Sequence, residues 1–104
     1  MSPLHRLLAL EDCVPGTVHR VVLRGEELAV SRTAEGVVHV TTDICPHGHC
    51  SIGKGGTVRE QTLVCPCHGS AFDLATGEVL SPPARFALRL YPHSEQDGAV
   101  WVDL

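Results

Sequence analysis

A chain of 104 residues, 43% hydrophobic and 19% charged, has room for one compact domain and reads as globular rather than disordered. Eight basic against twelve acidic residues give a formal net charge of −4, and no two lysines or arginines are adjacent, which argues against a nucleic-acid binder. The apolar run before Glu11 and Asp12 is too short for a signal-peptide core or a bilayer span, so a cytoplasmic protein with no membrane association is expected.

The predicted elements follow in chain order. Leu4 to Leu10 has room for no more than one helical turn before Pro15-Gly16. Thr17–Leu23, Leu28–Ser31 and Val37–Thr41 are rich in β-branched residues and are separated by Arg24-Gly25 and Glu35-Gly36, the pattern of a meander. From Asp43 to Ser70 the pattern breaks into two loops marked by Pro and Gly, with a polar, glycine-rich stretch between them and a short strand at Thr62–Val64 leading into the second. After Thr76-Gly77 and Pro82-Pro83, Phe86–Leu90 and Ala99–Val102 are predicted as closing strands, with a turn at Asp97-Gly98. No window sustains a helical period over ten residues, so the fold class is all-β, built from short antiparallel strands. With 4% aromatic residues the core must be mainly aliphatic.

The loops read CPHGHC at 45–50 and CPCHGS at 65–70. They hold Cys45-x-His47 and, after seventeen intervening residues, Cys65-x-x-His68. Two thiolates and two imidazoles fit either a structural tetrahedral zinc or a 2Fe–2S cluster with one ligand pair on each iron. Zinc fingers pair Cys with Cys on one element and His with His on another, whereas each loop here gives one of each. That spacing favours the binuclear cluster, and zinc remains the alternative.

On these residues the sequence resembles the Rieske iron–sulfur proteins, whose boxes read C-x-H and C-x-x-H. The likeness runs through GSAFD after His68, the Thr76-Gly77 turn and the Pro82-Pro83 loop, and covers roughly residues 4 to 104. It implies a Rieske fold: an antiparallel β-sandwich, one domain over 1–104, with a smaller cluster-binding subdomain at about 43–83 formed by the two loops. It also implies one 2Fe–2S cluster per chain, with Cys45 and Cys65 on the buried iron and His47 and His68 on the outer iron.

Cys50 and Cys67 fall outside that ligand set. Their positions resemble those of the disulfide in the high-potential branch of the family, so a Cys50–Cys67 bridge is implied; two reduced thiols are the alternative, as the cytosol would favour. Ser70 matches a serine whose hydroxyl, in that branch, donates to a bridging sulfide. Phe72 stands where that branch commonly has a tyrosine that donates to a cysteine sulfur. Donors to sulfur raise the potential of Rieske centres, which spans about −150 to +300 mV. A bridge and a serine without the tyrosine predict an intermediate value.

Cys13 is read as a thiol without a role, and His5, His19, His39 and His93 as ordinary side chains. His49 is read as an exposed loop residue, and Asp43 and Lys54 as solubilising loop charges. Gly48 stands where quinol-oxidising relatives commonly carry leucine, which argues against quinol oxidation. The resemblance implies a soluble Rieske-type ferredoxin, an electron carrier rather than an enzyme. It would be monomeric when isolated and take one electron from a reductase to an oxygenase or another terminal acceptor. Two alternatives are a small electron-transfer subunit of a larger oxidoreductase of nitrite or arsenite type, and a zinc-stabilised interaction module.

Overall fold

The computed structural model describes residues 4–46 and 48–104. Among these residues ten strands form three antiparallel sheets. The first contains β1 (Leu4–Ala9), β10 (Ala99–Asp103) and β9 (His93–Gln96), in that order; the second is the meander β2 (Thr17–Leu23), β3 (Glu26–Arg32), β4 (Val38–Thr42). The third runs β5 (Thr57–Arg59), β6 (Thr62–Val64), β7 (Ala71–Asp73), β8 (Val79–Ser81). The all-β expectation holds, and helix among the described residues is limited to two short 3-10 turns.

Tight turns set the register. Arg24-Gly25 joins β2 to β3 and Asp97-Gly98 joins β9 to β10, and all four residues have positive φ, from 52° to 81°. Two consecutive left-handed residues make the hairpin turn whose twist matches the flanking strands, and glycine adopts that conformation without steric cost. Leu23 accordingly faces Glu26, and Gln96 faces Ala99.

The middle sheet buries both faces. Leu28 and Val30 of β3, with Val38 and Val40 of β4, pack with Val100, Val102 and Tyr91 in one apolar cluster. Residues of alternate parity form the cross-strand row Val18–Ser31–His39, and Val18 packs against a second cluster that contains Cys45 and Cys65. Burial on both sides explains why Leu28 to Ser31 reads as an almost unbroken small and apolar run. Cys13 lies inside the first cluster with its thiol 3.9 Å from the Val30 carbonyl oxygen, and burial pushes its pKa up, so it is held as the unreactive thiol.

Three local expectations change. Leu4–Ala9 is a strand rather than a helical turn, because β10 pairs antiparallel with it, with a register shift between Arg6 and Leu8; the turn is confined to Leu10–Asp12. The strands β5, β7, β8 and β9 were not anticipated, since runs of three or four residues are too short to show a period of two. Phe86–Leu90 is not a strand: Phe86 is 71% exposed, and only Leu90 bridges to Thr41. The segment is diverted at Leu88, whose N–H donates to the Gly77 carbonyl at 2.7 Å. The Leu88 carbonyl fills the space a side chain on Gly77 would need, so Gly77, at φ 80°, permits that crossing.

Candidate metal centre

Each motif is a six-residue loop closed in the same way. In loop one the Cys45 N–H donates to the Cys50 carbonyl at 2.9 Å, below an Ile44–Ser51 bridge. In loop two, between β6 and β7, the Cys65 N–H donates to the Ser70 carbonyl at 2.8 Å, below the Val64–Ala71 pair. The fifth residue is left-handed in both, His49 at φ 59° and Gly69 at φ 75°. His49 is exposed, in keeping with its reading as a loop residue.

The two loops are joined by a disulfide between Cys50 and Cys67, whose Cα atoms are 6.4 Å apart. The bridge implied by the resemblance is therefore present. Cys45 and Cys65 are buried in one cluster with Ile52, Leu63, Phe72, Leu74, Ala84 and Leu88. His68 is exposed on the rim of loop two, whereas His47 lies outside the described residues. Thiolate ligands placed in an apolar cluster would need a cation to offset their desolvation. Buried thiols and an exposed imidazole on the bridged loops fit a centre with a sulfur-ligated inner side and a nitrogen-ligated outer side.

Supporting contacts hold the loops from behind. Ser70 is fully buried, and its Oγ accepts the Ala84 N–H at 2.9 Å, fastening the Pro82-Pro83 loop to loop two. Phe72, also fully buried, faces Leu63 on β6. Asp43 is not a solubilising charge: it is fully buried. Its carboxylate accepts the Ser51 hydroxyl at 2.5 Å and the Gly53 N–H at 2.6 Å, and pairs with Arg20 Nε at 3.2 Å. Arg20 also binds Glu27 at 2.6 Å. Asp43 thus ties the exit of loop one back to the middle sheet. The sequence carried no sign of this, because nothing local distinguishes a buried loop aspartate from an exposed one. Lys54 is exposed, as expected.

Away from the loops, a cleft of about 450 Å³ is lined by His39, Leu74, Tyr91 and His93 among others. The His39 and His93 rings meet edge to face at 6.4 Å. Burial, with the neighbouring His93 adding to it, lowers the His39 pKa below its ordinary value, against a smaller opposing effect of Asp73. No helix among the described residues is long and apolar enough to cross a membrane.

The family model for the Rieske [2Fe-2S] domain matches residues 4–92. The ferredoxin component of a naphthalene 1,2-dioxygenase system from Pseudomonas putida is 32% identical over 97 residues, covering 93% of this chain and 91% of that relative. Among solved structures, the complex of reduced oxygenase and oxidized ferredoxin in carbazole 1,9a-dioxygenase contains a chain that is 33% identical, with a TM-score of 0.88 over 99% of this chain and 94% of its own. The Sphingomonas yanoikuyae B1 ferredoxin is 30% identical, with a TM-score of 0.89 over 98% of this chain and 99% of its own.

Proposed function

The chain belongs to the Rieske [2Fe-2S] domain family, whose cofactor is a 2Fe–2S cluster, and on that premise we propose that it is a ferredoxin carrying single electrons from a reductase to an oxygenase. The observation that carries this reading is the pair of buried cysteines at the roots of two disulfide-joined loops, in a chain matched along nearly its whole length by ferredoxin components. Cys45 and Cys65 are the proposed ligands of the inner iron, and His47 and His68 those of the outer one. The burial of both cysteines and the exposure of His68 support that division. When bound, the cluster supplies a one-electron couple.

The remaining roles belong to the chain. The apolar cluster around Cys45 and Cys65 excludes water from the sulfur side. Ser70, having accepted the Ala84 N–H, keeps its own hydroxyl proton for a sulfur acceptor. The disulfide and the Asp43 contacts hold both loops in place, so electron exchange need not be preceded by their rearrangement. Residues 1–104 form, in this proposal, one domain with the cluster-binding part at about 43–83. That part shares its apolar cluster with Val18 and Leu88 outside it, which supports a single folding unit. A cytoplasmic, monomeric carrier completes the reading.

The test is a reduced-state EPR spectrum with a redox titration on the protein as purified, together with iron and labile sulfide analysis. A rhombic signal of mixed Cys/His ligation, with two irons and two sulfides per chain, is expected. Reduction by a flavoprotein reductase and reoxidation by a Rieske oxygenase should then turn over the same signal. A colourless protein holding one zinc would overturn the reading.

A further inference from the structure

Charge is distributed unevenly between the two ends of the cluster-binding part. Residues 44–56, 64–72 and 79–88 contain no aspartate or glutamate, although the whole chain carries net charge −4. Their formal charges are Lys54 and Arg85, both exposed. Close contacts bring these segments to the loop end. A Cβ on Gly55 would lie 3.4 Å from Pro66, which places Lys54 beside loop two. Arg85 shares a groove of about 300 Å³ with Pro46, Pro83 and Phe86, which places it beside loop one. Phe86 is the most exposed large apolar residue among the described residues.

The acidic residues of this sheet lie at its opposite end. In the β5–β6 pair, Thr57 faces Val64 at the loop end and Arg59 faces Thr62 at the far end, where Glu60 makes the turn. Asp73 and Glu78 lie at the same far end, since β7 leaves loop two at Ala71 and β8 returns towards it at Ser81. Of the acids near the root of loop one, Asp43 and Glu27 are paired with Arg20, and Glu26 accepts the Tyr91 hydroxyl at 3.4 Å.

We infer that the loop end, which carries Lys54 beside loop two and Arg85 with the exposed Phe86 beside loop one, is a docking surface for an acidic face of the redox partner. The inference rests on the ferredoxin reading, because a single centre exposed at one end makes donor and acceptor use that end in turn. An apolar centre with a charged rim is the usual anatomy of a transient interface, and local charge rather than net charge steers the last stage of an encounter.

The test uses two cytochromes of opposite charge as probes, with binding followed by calorimetry and reoxidation of the reduced protein by stopped flow. The acidic cytochrome should bind more tightly than the basic one despite the net charge of −4. Its affinity should fall several-fold between about 0.01 M and about 0.1 M ionic strength, as the screening length drops from roughly 30 Å to roughly 10 Å. Lys54→Glu with Arg85→Glu should abolish that preference, while Arg6→Glu with Arg59→Glu, an equal change in net charge made elsewhere, should retain it. Small oxidants should agree: salt should slow reoxidation by hexacyanoferrate(III) and speed reoxidation by hexaamminecobalt(III). Preference for the basic cytochrome, or equal effects of the two double substitutions, would overturn the inference. Binding needs no electron, so it reports on the surface even if the redox reading fails, and unchanged EPR spectra in the variants would show the centre intact.

Discussion

The Ala84 N–H donates to the Ser70 hydroxyl oxygen at 2.9 Å across two buried segments fourteen residues apart. Replacing Ser70 by alanine leaves that N–H without its acceptor, at a cost of about 1–3 kcal/mol. It also removes the hydroxyl proton available to a sulfur. Ser70→Ala should therefore unfold at lower urea and show a lower midpoint potential. An unchanged midpoint in voltammetry would mean that the hydroxyl proton points elsewhere.

Phe72 is fully buried within the apolar cluster of the two cysteines, opposite Leu63. Phe72→Tyr adds a hydroxyl that must find an acceptor or cost about 1–3 kcal/mol. If a sulfur accepts it, the potential rises and the stability loss is small, and the two measurements should move together. A large stability loss with no rise would show that the hydroxyl fails to reach the centre.

The Cys50–Cys67 bridge spans 17 residues of sequence. Chain entropy alone assigns such a loop about 3 kcal/mol, lowered where the ligands already tie the loops together. Cys50→Ser with Cys67→Ser should lower the thermal midpoint and speed loss of visible absorbance in a chelator. The effect should be greater in protein stripped of metal than in the loaded form.

Asp43 is buried beneath three donors, and removing a buried charge leaves Arg20 with only Glu27. Asp43→Ala leaves the Ser51 hydroxyl and the Gly53 N–H without their acceptor, at a cost of about 1–3 kcal/mol for a buried donor left unpaired. Asp43→Asn should cost less, since its carbonyl can still accept one of the hydrogen bonds. Denaturant melts of the two variants provide the comparison, and equal stability of both with the parent would contradict the anchoring role.

His39 Nε2 is buried without a hydrogen-bond partner among the described residues, and burial, then His93, depress the pKa of the ring. A depressed pKa means that the unfolded chain takes up a proton before the folded one as pH falls. The contribution to stability is thus level above the ordinary value of about 6.5 and is lost as pH drops from there towards the folded value. His39→Gln should flatten the acid-side slope of a plot of unfolding free energy against pH. Parallel slopes between about pH 7.5 and pH 5.5 would argue that the ring does not titrate as described.

The chemistry of the centre was legible in twelve residues. CPHGHC and CPCHGS declare a mixed thiolate and imidazole donor set because metal ligation restricts residue type far more than shape does, and Pro and Gly mark the loops that present it. The β-class was equally plain from Thr17 to Thr41, where β-branched runs alternate with turn dipeptides. Less of the remainder was local. The strand at Leu4–Ala9 exists through β10, ninety or more positions along the chain, and a three-residue strand such as Ala71–Asp73 is defined by its neighbours. Asp43 acquired its role from Arg20 and Ser51, and Ala84 from Ser70.

By itself, the sequence determined which atoms can ligate and that the scaffold is made of strands, since both follow from residue type and short-range pattern. Tertiary structure decided that Cys45 and Cys65 share one buried cluster, that Cys50 meets Cys67, and that the acidic residues of the third sheet lie away from the loops. Those outcomes depend on distance between segments far apart in the chain, which strand register and packing fix and local composition does not.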